Sequence, residues 1–228
     1  AAPDFVAAWR MFSRACDHYP FSIPLLYWGP QHFGPAYPLF FRKVDRHMPI
    51  PWLLPSQVKY DTCIEWMQYT EFGDRIMDYV DWSTPEAFMS CFDRMIGQWV
   101  RGVERVRVAM QDVPLRLRPN AHREYTVCAA VMSQFSTVRN VTQFTHLRNF
   151  YYEERSPRKQ RTLLRRMIII AEDENRNSTF CKGLAKNNNM LGFHGEAFGY
   201  CYNPAKIDVK IASVQKVILQ MRRELGKR

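Results

Sequence analysis

The sequence lacks the short signatures that most enzyme families carry. It contains no Gly-x-Gly-x-x-Gly, no Gly-x-x-x-x-Gly-Lys-Ser/Thr, no Gly-x-Ser-x-Gly and no His-Glu-x-x-His. Dinucleotide and nucleotide cradles, the nucleophile elbow and the zincin helix therefore have no footing here. Cysteine is scarce and scattered: Cys16, Cys63, Cys91, Cys128, Cys181 and Cys201 include no Cys-x-x-Cys pair. That excludes a disulfide framework or a zinc knuckle and predicts buried free thiols. His194-Gly-Glu196, with Cys181 and Cys201 nearby in sequence, comes nearest to a metal signature. The Pro-Cys-x-x-Cys partner of the zinc deaminases is missing, so His194 reads as a loop histidine. No catalytic, metal-ligating or cofactor-binding residue is expected. Asn140-Val-Thr and Asn177-Ser-Thr match a glycosylation acceptor that often arises by chance, and secretion is not expected.

Charge is missing from one long stretch. Between Tyr19 and Phe41 there is no Asp, Glu, Lys or Arg. Such a run would suggest a membrane span, but Pro20, Pro24, Pro30, Pro35 and Pro38 each remove a backbone donor and turn the preceding residue away from helix. A transmembrane helix is thereby excluded, because orphaned backbone groups in hydrocarbon cost several kcal/mol each. Disorder fits no better, since disordered segments are poor in aromatics. The segment 19–55 reads as an extended Pro/aromatic arm that needs a surface to lie on. Its candidate interface residues are Phe21, Tyr27, Trp28, Phe33, Tyr37, Phe40, Phe41 and Trp52.

Acidic residues are outnumbered, 22 against 32 basic, giving a formal charge of +10, and Arg far outnumbers Lys. Arginine favours bidentate contacts to carboxylate or phosphate, so protein surfaces, RNA and anionic lipid are all plausible partners. The densest cluster is Arg155, Arg158, Lys159, Arg161, Arg165 and Arg166. Two readings stand: a phosphate contact to RNA or to an anionic lipid such as cardiolipin, or an ordinary solvated helix face. The carboxylate runs Glu153-Glu154 and Glu172 to Glu174 fall at expected helix ends and read as solvated.

What remains is helical periodicity. Phe5, Trp9, Phe12 and Cys16 predict a short first helix burying one aromatic stripe, and a further helix is expected over 56–72. Ser83-Thr84-Pro85-Glu86 starts a helix running to about Gln111, with Phe88, Phe92, Met95, Trp99, Val103 and Val106 on one face. At about 40 Å long it is the expected spine. Gly97 and Gly102 inside it are candidates for close approach by an aromatic ring. Residues 113–120 read as an extended connector. A helix over 122–154 is expected to break near Thr137 to Thr142, where β-branched residues crowd. Ser156-Pro157 opens another helix, ending around Glu174, and 175–203, rich in Asn and Gly, reads as an irregular aromatic loop. The last helix, 204–228, presents a packing face of Ile207, Ile211, Val214, Ile218, Met221 and Leu225.

The fold class expected is all-α, a single irregular body of five to seven helices with extended arms and no sizeable sheet. The chain begins Ala-Ala-Pro-Asp, without Met or a visible presequence, as an imported and processed organellar protein would. The functional expectation is a non-catalytic accessory subunit, peripheral to the mitochondrial inner membrane, in an ATP synthase or respiratory complex. Its partners would be sister subunits, with a possible cardiolipin contact. The alternative is a mitochondrial ribosomal or other RNA-bound protein.

Overall fold

The computed structural model describes residues 1–22, 25–26, 30–31, 34–42, 76–80, 83–188, 191 and 203–227. Tyr27, Trp28, Phe33, Trp52, the helix expected over 56–72, and His194, Glu196 and Cys201 lie outside the described residues. The fold is all-α. In chain order the helices are α1 (Ala2–Cys16), a single turn α2 (Met77–Val80), α3 (Pro85–Ala109), α4 (Arg118–Glu153), α5 (Pro157–Asn187) and α6 (Pro204–Lys227). Helix α1 packs on α3, α3 on α4, α4 on α5, and α5 on α6.

Helix α3 starts where its sequence dictates: the Thr84 side chain accepts from the Ala87 N–H at 3.2 Å, and Pro85 occupies the first turn. Phe88, Phe92, Met95 and Val106 are buried, and the Phe88 and Phe92 rings continue into α4 through Phe135. Trp99 packs edge-on against Phe135 at 5.2 Å and donates its indole N–H to the Cys128 carbonyl at 2.9 Å.

The first helix does not bury the expected aromatic stripe. Its inner face is Ala8, Phe12 and Ala15, while Trp9 and Cys16 are exposed. The cause is close approach, since the Phe12 ring occupies the place a Cβ on Gly102 would take, its centroid 4.5 Å from that of Trp99 with the rings tilted by 32°. Ala8 and Ala15, about one turn before and after Phe12 on the buried face, are both small. Gly97 has open space around it and plays no such part.

Helix α4, not α3, is the spine. It is 36 residues long, about 54 Å, and runs unbroken through Thr137 to Thr142. Its neighbours surround it, so it shows no single apolar stripe: Ser133, Thr137 and Thr142 are as deeply buried as Val138 and Phe144. The threonines do not break it because their hydroxyls have partners. Thr126 and Thr142 donate to carbonyls one turn back, those of His122 and Val138. The connector before it is also tighter than expected, a 3-10 turn over Leu115–Leu117 leading into the helix at Arg118.

The largest departure is α5, which continues through residues 175–187 where a loop was expected. Tertiary contacts override the weak helix propensity of Asn175, Asn177 and Gly183. The Asn177 amide donates to the Ser133 carbonyl at 2.9 Å and to the Thr137 hydroxyl at 3.0 Å. Cys181 and Ala185 then pack against Ile207 of α6. On α6, Ile207, Val214, Ile218 and Met221 are buried, with Ile211 and Leu225 partly so.

The Phe12 seat gives a direct test. Gly102→Ala is expected to cost about 1–3 kcal/mol by overpacking, because its methyl overlaps a ring already held by Trp99. Gly97→Ala should leave stability equal or slightly higher. Equal unfolding midpoints for the two variants in urea would refute the close-approach account.

Candidate functional site: a buried ionic latch and an arginine-rich corner

Two constellations stand out, one internal and one external. The internal one centres on Glu174, whose side chain is 0% exposed, as is that of Lys210. The Glu174 carboxylate pairs with the Lys210 ammonium and accepts from the Thr137 hydroxyl at 2.8 Å and the Asn140 amide at 2.9 Å. Asn177 donates to Thr137 in turn, so the hydroxyl relays one bond into the next. This contradicts the reading of Glu174 as a solvated helix-end residue. Its neighbours are open to solvent as expected, though they too lie within α5 and not at its end: Glu172 pairs with Arg222 at 2.7 Å, and Asp173 pairs with Arg176.

Lys210 also donates to the Pro35 carbonyl at 2.8 Å, which ties the network to the Pro/aromatic arm. Other side chains of the helical body bind the same arm through its carbonyls. Gln134 donates to Pro30 and Gln31, both at 2.9 Å, the buried Arg148 to Phe40 at 3.1 Å, and the Tyr152 hydroxyl to Phe41 at 3.0 Å. The arm is not the wholly extended segment expected: Leu25, Leu26, Pro30 and Gln31 are helical and Gly34–Ala36 forms a 3-10 turn, and these side-chain donors meet carbonyls along it. Gly34 makes the necessary turn with φ 70°, where a side chain would be strained. Tyr37 and Leu39 sit in the core between α4, α5 and α6, with Phe40 and Phe41 packed against it. Of the candidate interface residues, then, Tyr37, Phe40 and Phe41 are spent on the protein's own helices. Phe21 remains outside, 63% exposed.

The external constellation is the corner where α4 ends and α5 begins. Arg155, Arg158, Lys159, Arg161, Arg165 and Arg166 are all exposed. Lys159 lies 3.8 Å from Glu154, whose carboxyl is held below its usual range chiefly by the Ser156 backbone N–H, with Lys159 adding to it. Among the described residues, Arg155, Arg158, Arg165 and Arg166 have no carboxylate partner. Beside them Phe150 and Tyr152 are 46% and 45% exposed, and Ile169 on the next turn of α5 is 57% exposed. A groove of about 600 Å³ runs between the helices, lined by Phe150, Glu153, Glu154, Arg155, Lys159, Thr162 and Leu163.

At the opposite end of α4 an apolar groove of about 540 Å³ lies between α1 and the α3–α4 connection. Phe5, Val6, Trp9, Val113, Pro114 and Leu117 line it, and the neighbouring Leu115 is 77% exposed. Sequence reasoning missed this surface because it assigned Trp9 to the core.

The arginine cluster was visible in the sequence as a run, whereas Glu174 and Lys210 lie 36 residues apart and carry no local mark. Among the described residues, no three His, Cys, Asp or Glu side chains are placed to share a metal ion, and no helix is long and apolar enough to cross a membrane. Compared with known proteins, the chain matches no family model, no curated protein and no solved structure.

Lys210→Met should lose about 3–5 kcal/mol, because it strands a buried carboxylate, and should open residues 34–42 to limited proteolysis. Pairing it with Glu174→Leu should restore much of that stability but not the protection of the arm, since the Pro35 carbonyl stays without its donor. Urea melts and protease mapping of both variants check this. A second expectation concerns pH. Burial pushes the Tyr19 hydroxyl and the Cys128 thiol up to about 12 and the Cys181 thiol up to about 11. The native chain therefore keeps protons that the unfolded chain, with thiols near 9.0, gives up. Their contribution is complete below pH 9 and falls as pH rises toward 11. Urea midpoints should drop from neutral pH to pH 10, and Cys128→Ala with Cys181→Ala should flatten that drop.

Proposed function

We propose that this protein is a non-catalytic accessory subunit of a large assembly at a membrane, with the mitochondrial inner membrane as the setting. The reading rests chiefly on one observation: the apolar groove between α1 and the α3–α4 connection, with Trp9 and Leu115 open beside it. Apolar surface gathered at one end of a long helix is the usual mark of a protein–protein contact. A sister subunit would cover Trp9, Leu115 and Leu117 in the assembled state. The positive charge and the predominance of arginine suit acidic or phosphorylated neighbours at the same time.

The alternative, an RNA-bound protein, draws on Arg158, Arg165 and Arg166 of α5, which have no carboxylate partner among the described residues. Both readings have separate experimental signatures. Affinity purification of the tagged chain from detergent-solubilised mitochondria should return one complex at fixed stoichiometry, unchanged by RNase. Trp9→Ser with Leu115→Ser, two exposed changes, should abolish that incorporation while leaving the helical content intact. Loss of co-purifying partners on RNase treatment would favour the alternative. Deleting the arm is the wrong test, because Tyr37 and Leu39 belong to the core.

A further inference from the structure

We infer that the corner between α4 and α5 is a docking surface for an anionic phospholipid bilayer, on the end of the molecule away from the groove that the accessory-subunit reading assigns to protein. The inference deepens that reading by naming a second partner, and it rests on the corner alone.

Along α5, Arg158, Arg165 and Ile169 repeat at seven and four residues, which places them in one line along the helix. All three are exposed, and neither arginine has a carboxylate partner among the described residues. Across the groove, the end of α4 contributes Phe150 and Tyr152, each about half exposed. Cationic heads interleaved with aromatic and aliphatic side chains match the two layers of a bilayer surface. Arginines reach the phosphates while the apolar groups enter the head-group boundary.

The same residues suit nucleic acid less well. Ile169 gives a nucleotide nothing to stack on. One side of Phe150 is taken by the edge-on ring of His146 at 4.5 Å, and the Tyr152 hydroxyl is already donated to the Phe41 carbonyl. Base stacking needs free ring faces, whereas partial insertion into lipid needs only exposed apolar edges. Glu153 and Glu154 on the groove wall would oppose a phosphate chain threading it. They lie beside the arginine line and leave Arg158 and Arg165 open.

The full chain should co-float with vesicles of phosphatidylcholine mixed with phosphatidylglycerol and remain unbound with phosphatidylcholine alone. Arg158→Gln with Arg165→Gln should weaken binding to the mixed vesicles by about tenfold or more, as expected for two lost charges at an anionic surface. Phe150→Ser should weaken it further when salt is raised, since the apolar share is then the larger one. Arg101→Gln on α3, also exposed, should have no effect. Equal binding to neutral vesicles, or an equal loss from Arg101→Gln, would overturn the inference. So would binding to single-stranded RNA through Arg158 and Arg165 without binding to vesicles. Normal incorporation of the Arg158/Arg165 variant into the complex would leave the subunit reading intact even if vesicle binding fails. Failed incorporation of the Trp9/Leu115 variant with vesicle binding retained would remove only the subunit reading.

Discussion

The buried pairing of Glu174 with Lys210 is the constraint on which the rest of the architecture hangs. Two charges taken fully out of water are tolerated only if nearly every polar atom around them is matched. That requirement fixes three elements at once: Thr137 and Asn140 set the register of α4, Glu174 that of α5, and Lys210 that of α6. The Pro35 carbonyl, accepting a further hydrogen bond from the ammonium, adds the arm. A hydrogen-bonded ion pair adds a directional constraint to the apolar packing around it, since each donor must meet its acceptor.

This accounts for the character of α4. A helix enclosed on most sides is ordinarily apolar all round, yet α4 buries Thr126, Ser133, Gln134, Thr137, Asn140, Thr142, Thr145 and Arg148. Each neighbour makes a polar demand: α5 brings a carboxylate, and the arm brings carbonyls with no partners of their own. Gln134 and Arg148 answer the arm, Thr137 and Asn140 answer α5. The surface is left with the complementary task. Phe150, Tyr152 and the exposed arginines of the α4–α5 corner lie at one end of α4, and Trp9, Leu115 and Leu117 at the other, about 50 Å apart. An adaptor between a protein face and a lipid face would be arranged in this way.

Local sequence determined the helical class, the start of α3 at Thr84 and Pro85, the buried face of α6, and the refusal of the 19–41 stretch to form a span. These follow from capping chemistry, from spacing near 3.6 residues, and from prolines that remove donors, all of which act within a few residues. Tertiary structure alone decided that α5 continues through its asparagines, that α4 passes unbroken through its threonines, and that Trp9 faces out while Phe12 faces in. It also decided that Glu174 is interior and that Tyr37 and Phe40 lie on the protein's own helices. Each of those outcomes turns on a partner distant in the chain: Ser133 for Asn177, Gly102 for Phe12, Lys210 for Glu174. A hydrogen bond or a van der Waals overlap exists only once folding has brought its two halves together, and spacing along the chain carries no record of it.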